Sequence, residues 1–250
     1  MELKEYERID NIPGTELKII QDKNRFSYGI DAILLSSFAK IKSGSYVMDL
    51  GTGTGIIPLR LQALYKPERI IGVEIQKDMA EMASRSVYMN ELGDKIDIIN
   101  MDLRDIPYSY KKSTFDAITS NPPYIKSGSG ILNPEKNFAL SRHEISCTLE
   151  DIIKISQYLL KDKGKLYLVH RPNRLSDIFW TAREYGIEPK TLQFIHPKAQ
   201  EAPNLVLLEC VKGGNIDLKV EKPLVVYDDQ GVYTEEIYLI YGMKKENKNE

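Results

Sequence analysis

The sequence predicts an α/β fold, a mostly parallel sheet with helices on both faces, and three observations predict it. Short apolar runs of strand length alternate with helical stretches along most of the chain. A glycine loop, Gly51-Thr52-Gly53-Thr54-Gly55, follows the first well-defined run. An Asn121-Pro122-Pro123-Tyr124 turn follows a later one. Ligands of open α/β sheets collect outside the carboxyl ends of the strands, so both motifs should border one crevice.

The elements follow from local patterning. Within residues 1–44 a short helix starts at Asp31, with Ala32, Leu35, Phe38 and Ala39 as its apolar side. Residues 46–50 read as a buried strand, and after the glycines Ile57, Leu61 and Leu64 recur at helical spacing. Pro58 falls in the first turn, where its missing N–H does no harm. Residues 70–74 form a second strand, and Met79, Met82, Ala83 and Val87 mark one face of a helix that stops near Leu92 and Gly93. Residues 96–99 make a third strand, and residues 115–120 lead into Asn121. Residues 125–147 form a long connection with Gly128-Ser129-Gly130 at its tip, and connections of that length are more often functional or mobile than inert.

The second half is better punctuated. A helix starts at Thr148 with Asp151 three positions on, turns Ile152, Ile155, Ser156, Leu159 and Leu160 inward, and closes in Lys161, Lys163 and Gly164. Residues 166–169 are the next strand. Pro172 can open a helix with Leu175, Ile178, Phe179 and Ala182 on one face. Strands near residues 192–195 and 205–211 follow, and residues 244–250 form a polar, frayed end. The chain divides into an N-terminal extension or cap (1–44), a principal domain (45–212) and a C-terminal extension with a polar tail (213–250).

Composition permits this architecture without naming a function. At 250 residues and 42% hydrophobic content, the chain can bury the core of one such domain. The 34 basic and 36 acidic residues give a net charge of −2, so a polyanionic partner would have to be met by a local patch. Cys147 and Cys210 form neither a CxxC nor a disulfide framework, which suits a reducing compartment. The start lacks a basic segment followed by an apolar one, and no stretch approaches the roughly 18 apolar residues of a membrane span, so the expected location is cytoplasmic. The three histidines, His143, His170 and His196, lack metal-ligand spacing, and no metal is expected.

The glycine loop and two acids suggest a nucleoside-bearing ligand. A strand that turns tightly into a helix uses glycines where backbone must approach a ligand closely, and a tight turn alone is the alternative reading. The spacing is G-x-G-x-G, and Ile56 stands where the dinucleotide fingerprint requires its third glycine, which disfavours a nicotinamide cofactor. Glu74, ending the second strand, can accept hydrogen bonds from two ribose hydroxyls, or it can be a solvated strand end. Asp102, just past the third strand, can reach the exocyclic amine of a bound adenine.

The Asn-Pro-Pro-Tyr turn suits a planar group carrying an NH2. Such an amine is a poor nucleophile because its lone pair is delocalised into the ring. The Asn121 side-chain oxygen and the Pro122 carbonyl can accept its two hydrogens and steer the nitrogen toward tetrahedral geometry. Pro122 and Pro123 stiffen the turn, and Tyr124 can stack on the base. An ordinary β-turn is the alternative reading of these four residues.

Taken together, Asp49-Leu50-Gly51-Thr52-Gly53-Thr54-Gly55, Glu74 and Asn121-Pro122-Pro123-Tyr124 resemble the cofactor and catalytic motifs of class I S-adenosylmethionine-dependent N-methyltransferases. Gly72-Val73-Glu74-Ile75-Gln76, Arg142-His143-Glu144-Ile145, Val169-His170-Arg171-Pro172 and the run from Leu207 to Gly214 further resemble the bacterial tRNA1(Val) adenine-37 N6-methyltransferase family, over about residues 21–241. The resemblance implies a Rossmann-like sheet of order 3-2-1-4-5-7-6 with strand 7 antiparallel, S-adenosylmethionine as cofactor and an anticodon-loop adenine of tRNA as target. It also implies direct displacement at the cofactor's methyl, and a cofactor site built from Asp49, Gly51, Gly53, Gly55, Glu74 and Asp102. Phe26, Tyr28 and Asp31, in the family motif ahead of the first strand, can close over the methionine end of that cofactor, or can simply pack locally.

Recognition of the RNA is thinly written. Lys126, Lys136, Arg142 and His143 on the long connection, with Arg171, Arg174, Lys190, His196 and Lys198 near later strand ends, can form a phosphate-facing patch. A solvated surface has the same pattern. Three rivals share part of the motif set. A glutamine methyltransferase of release factors faces the same NH2 problem but usually carries a larger N-terminal domain. A DNA adenine methyltransferase normally needs a target-recognition domain, for which the tail is too short. A noncatalytic S-adenosylmethionine- or RNA-binding scaffold would not need Asn121 and Tyr124.

Overall fold

The computed structural model describes residues 3–24, 27–124 and 147–243. Its centre is a nine-stranded sheet. Strands β3 (Tyr46–Leu50), β4 (Arg69–Glu74), β5 (Ile96–Asn100), β6 (Phe115–Ser120) and β7 (Leu160–His170) run parallel in the order β5-β4-β3-β6-β7. Beyond β7 lie β9 (Leu205–Lys212), antiparallel to both neighbours, and β8 (Ile187–His196). Counted from β3, the seven main strands have the order 3-2-1-4-5-7-6 with strand 7 antiparallel, as the resemblance implies. Two further two-residue strands, β10 (Lys219–Val220) and β11 (Leu224–Val225), pair parallel with the outer edge of β8.

Alternation along the strands divides the core into two layers. Val47, Ile70, Ala117, Tyr167 and Val169 face α1 (Ile30–Phe38) and α2 (Ile56–Tyr65), together with α7 (Glu235–Ile240). Met48, Leu50, Ile71, Val73, Ile118 and Leu168 face α4 (Ile106–Ser109), α5 (Leu149–Leu159) and α6 (Leu175–Glu184). Helix α3 (Lys77–Met89) covers β4 and β5 and carries on its far side a hairpin of β1 (Glu7–Asn11) and β2 (Lys18–Asp22). Among the described residues no helix is long and apolar enough to cross a membrane.

The capping signal at Thr148 is realised in full. Its hydroxyl accepts from the Asp151 N–H at 3.1 Å while the Asp151 carboxylate accepts from the Thr148 N–H at 2.9 Å. Several boundaries differ from the sequence expectation. Helix α3 ends at Met89, not near Leu92, because Glu91 adopts a left-handed φ of 57° and breaks the ladder. Leu160 opens β7 rather than closing α5, and Leu64 is exposed. The β1–β2 hairpin, α4, β10, β11 and α7 have no counterpart in the sequence reading. The hairpin strands are short and largely polar, and they are held by contacts to α3: the Ile20 N–H donates to Ser86 Oγ and the Lys18 N–H to Asn90 Oδ1.

Candidate active site

The carboxyl ends of β3 and β6 are adjacent, and side chains bind them together. In register, Asp49 lies opposite Thr119 and Leu50 opposite Ser120. The Thr119 hydroxyl donates to Asp49 Oδ1 at 2.6 Å, and the Ser120 hydroxyl donates to the Leu50 carbonyl at 2.9 Å. The glycine loop leaves one of these strand ends and the Asn-Pro-Pro-Tyr turn the other, so the two motifs border one crevice at the point where the strand order reverses.

The loop is a close-approach surface rather than an array of donors. Gly51, Gly53 and Gly55 all take left-handed φ values of 74°, 56° and 82°, and a Cβ on Gly51 or Gly53 would meet nothing within 4 Å. Its amides are largely satisfied internally. The N–H groups of Gly51 and Thr52 donate to the Val73 carbonyl, that of Gly53 to Glu74 Oε2 and that of Gly55 to the Thr52 carbonyl. Few of these N–H groups are left to face a ligand, which suits a cofactor without a pyrophosphate.

Glu74 is 4% exposed, which excludes the solvated strand end. Its carboxylate accepts from Gly53 N–H at 2.9 Å and Gln76 N–H at 2.8 Å, and each oxygen keeps a second lone pair for a ligand hydroxyl. Asp49 is fully buried beneath the loop, and among the described residues neither its Oδ2 nor the nearby Thr52 Oγ1 makes a well-formed hydrogen bond, although the two groups are close enough for the hydroxyl to favour the charged carboxylate. Burial pushes the Asp49 carboxyl up to about 6, against the opposing pull of the Thr119 and Thr52 hydroxyls. Orphaned polar atoms beneath an open glycine cradle are what a nucleoside cofactor with a cationic methionine end would complete. Asp102 caps the short turn Leu103–Asp105 through Arg104 N–H and pairs with the Arg104 guanidinium, which holds its carboxyl below the usual range.

On the other side of the crevice Pro122 is buried, Pro123 is exposed, and Asn121 and Tyr124 are half-buried. The Tyr124 hydroxyl is 2.8 Å from Asp31 Oδ2 and 2.7 Å from Asn121 Oδ1. Burial, then the Asp31 charge, raises the phenol well above its ordinary value, so Tyr124 is neutral. The Arg171 guanidinium lies 4.8 Å from its ring centroid, and the His170 ring packs against it in an edge-type contact with the centroids 5.4 Å apart. At most one face of Tyr124 is therefore left for a base. His170 is buried, its Nδ1 accepts from the Arg171 N–H at 2.8 Å, and burial lowers its pKa to about 4.

The basic candidates separate. Arg171 also donates to the Asn204 carbonyl at 2.9 Å, and Arg174 is paired with Asp177 at 2.8 Å. His196 and Lys198 lie at or beyond the end of β8, on the crevice edge. Lys190 does not. It sits in the amino-terminal half of β8 and bonds the Asn215 carbonyl, because β8 runs parallel to β7 and is entered from the opposite edge. Phe26, Lys126, Lys136, Arg142 and His143 lie outside the described residues. Thr52, Thr119 and Ser120 were not singled out in the sequence. Thr119 is two positions from Asn121 and so shares its face, but its partner Asp49 depends on strand register.

Comparison with known proteins agrees with this geometry. Residues 47–127 match the methyltransferase domain family. A solved structure of a predicted O-methyltransferase from Agrobacterium tumefaciens superposes with a TM-score of 0.68 at 21% identity, covering 87% of this chain and 99% of that one. The geranyl diphosphate C-methyltransferase of Streptomyces coelicolor superposes at 0.54 with 13% identity, over 73% of this chain and 77% of that one. Both show the fold alone. The tRNA1(Val) (adenine(37)-N6)-methyltransferase of Phocaeicola vulgatus is 28% identical over 232 residues, 90% of this chain and 95% of its own. That of Porphyromonas gingivalis is 31% identical over 187 residues, 72% of each chain. With the glycine loop and the Asn-Pro-Pro-Tyr turn meeting at one crevice, this similarity makes the chain a member of the tRNA1(Val) (adenine(37)-N6)-methyltransferase family.

Proposed function

We infer that the protein transfers a methyl group from S-adenosylmethionine to the exocyclic N6 amine of an adenine in tRNA, at position 37 of the anticodon loop of tRNA1(Val), in the cytoplasm. The observation that carries this reading is the shared crevice, tied shut at its base by the Thr119–Asp49 and Ser120–Leu50 hydrogen bonds. The names of the relatives supply the tRNA, the base and its position.

S-adenosylmethionine, when bound, supplies an electrophilic methyl group. Gly51, Gly53, Gly55 and Thr52 form its bed, Glu74 offers acceptors to its ribose, and Asp49 offers a negative charge beneath its cationic end. Asp102 serves the adenine end by sharing its carboxylate with Arg104. Asn121 and the Pro122 carbonyl accept the two hydrogens of the target amine and aim its lone pair, and Pro122 and Pro123 keep those acceptors fixed. Positioning of this kind can supply roughly 7–11 kcal/mol of barrier reduction. Tyr124 offers the base whatever ring surface Arg171 and His170 leave open, and Arg171 and Arg174, with Lys126, Arg142 and His143, are the candidates for holding the RNA. An unpaired anticodon-loop base costs less to splay out than a duplex base. In this division the extension of residues 1–44 contributes Asp31 to the site, residues 45–212 carry the chemistry, and the C-terminal extension of residues 213–250 adds β10 and β11 to the far edge of the sheet.

The test incubates the protein with labelled S-adenosylmethionine and separate pools of tRNA, DNA and release factor. Label is expected in tRNA, identified as N6-methyladenosine by nucleoside mass spectrometry. Asn121→Ala should bind S-adenosylhomocysteine as the parent does and transfer no methyl. Label in release-factor glutamine, or full transfer by Asn121→Ala, sinks the assignment.

A further inference from the structure

Asp31 reaches the catalytic turn from α1, ninety-three positions away in sequence. Its carboxylate is held at two points: Oδ1 accepts from the Ala32 N–H at 2.9 Å, and Oδ2 is 2.8 Å from the Tyr124 hydroxyl. The first turn of a helix favours such a charge. Gly29 makes room for it, since a Cβ there would lie 2.7 Å from Asp31 Oδ1. A carboxylate fixed in this way has little freedom to follow a ligand.

The Tyr124 hydroxyl has one proton and stands between two oxygens, those of Asp31 and Asn121. Burial and the neighbouring carboxylate keep the phenol protonated. The proton goes to the charged acceptor, because charge-assisted hydrogen bonds are about twice as strong as neutral ones. The tyrosine oxygen is then an acceptor. An amide oxygen facing it would be repelled, whereas the same amide turned end for end donates its NH2 to it. That turn sends the Asn121 carbonyl oxygen into the crevice, which is where an acceptor for a substrate amine is needed.

We propose that Asp31 is a positioning residue: through the Tyr124 hydroxyl it sets the orientation of the Asn121 amide, so that the amide oxygen faces the target amine. The resemblance assigns Asp31 to the cofactor, and this role is different. It rests on the reading that Asn121 holds the amine. Each group in the chain donates toward Asp31, from the Asn121 NH2 to the Tyr124 oxygen and from the Tyr124 O–H to the carboxylate. Arg171 over the ring and His170 packed at a steep angle against it hold the tyrosine in place for this.

The experiment measures single-turnover methyl transfer to unmodified tRNA1(Val) transcript at saturating S-adenosylmethionine, and S-adenosylhomocysteine affinity by calorimetry. The proteins are the parent, Asp31→Asn, Tyr124→Phe, the double variant, Gly29→Ala and Asn121→Ala. Asp31→Asn and Tyr124→Phe are each expected to lower the rate by about 10- to 100-fold, with S-adenosylhomocysteine affinity within about 2-fold of the parent. The double variant should be no slower than Tyr124→Phe, because Asp31 acts only through that hydroxyl. Gly29→Ala, which keeps the carboxylate but displaces it, should fold and lose rate in the same direction. Multiplicative losses in the double variant, a parental rate in Asp31→Asn, or a loss confined to cofactor affinity would overturn the proposal. A parental rate in Asn121→Ala overturns the amine-holding reading itself, whatever Asp31→Asn does.

Discussion

Asp49 holds a carboxylate wholly out of water with one well-formed hydrogen bond, from Thr119, and that makes it costly in the ligand-free protein. A carboxyl raised to about 6 in the fold, from 3.8, favours the folded state only when protonated. Its contribution is full below about 3.8 and is lost as pH rises to about 6. His170 has the opposite sign: a base lowered to about 4 from 6.5 is lost to the fold as pH falls across that interval. The two slopes oppose each other in the parent, so the difference between variants is the informative quantity. Asp49→Asn keeps an oxygen for Thr119 and removes the buried charge. Ligand-free Asp49→Asn should be more stable than the parent at pH 7.5 by on the order of 1–3 kcal/mol, with the gain vanishing near pH 4. Urea unfolding at both pH values checks this, and an equal gain at both would show that the charge is not the cause. The same substitution should weaken S-adenosylhomocysteine binding, since the negative charge is what a cationic methionine end meets.

At the scale of elements, Arg60 of α2 decides how the chain termini are attached. It is 1% exposed, and its guanidinium bonds the Pro13 carbonyl, Ser37 Oγ at 2.9 Å and the Ile240 carbonyl at 2.6 Å. One side chain thus joins the turn after β1, the end of α1 and the end of α7. Burial lowers its pKa, but an arginine stays charged, and these oxygens meet its two terminal nitrogens while its Nε has no partner among the described residues. Arg60→Ala leaves two half-buried carbonyls without their donor and opens a cavity. It should lower the unfolding free energy by about 3–4 kcal/mol. Hydrogen exchange should quicken first in α7, whose described contacts are few, and unchanged protection there would show that α7 is held by its apolar residues alone.

The whole molecule carries a net charge of −2, so binding of tRNA depends on where the cations lie. Arg171 and Lys198 are at the crevice edge, while Lys190 is at the other end of the sheet, bonded to Asn215. Affinity for tRNA should fall with salt, the logarithm dropping by about 0.7 per neutralised phosphate for each tenfold rise. Lys198→Ala should reduce that slope, and Lys190→Ala should leave it unchanged. Filter binding over a salt series distinguishes them, and equal effects would mean that RNA reaches beyond the crevice edge.

Local signals carried the architecture a long way. Helix and strand periodicity is written in neighbouring residues, as are the Thr148–Asp151 cap and the glycine loop, and these elements stand where the sequence implied. The strand order came from resemblance, since alternation alone does not rank strands across a sheet. The weakly patterned elements, the β1–β2 hairpin and α7, owe their place to α3 and Arg60, which are distant in sequence. The site divides in the same way. Residue types at strand ends made Glu74, Asp102 and Asn121 candidates and the resemblance added Asp49, because chemistry of this kind needs glycines, acids and an amide. Only packing decided that Thr119 meets Asp49, that Arg171 covers one face of Tyr124, and that Asp31 meets the Tyr124 hydroxyl. Such contacts depend on strand register and on how a helix docks to a sheet, and these follow from burying the whole core at once, not from any stretch of neighbouring residues.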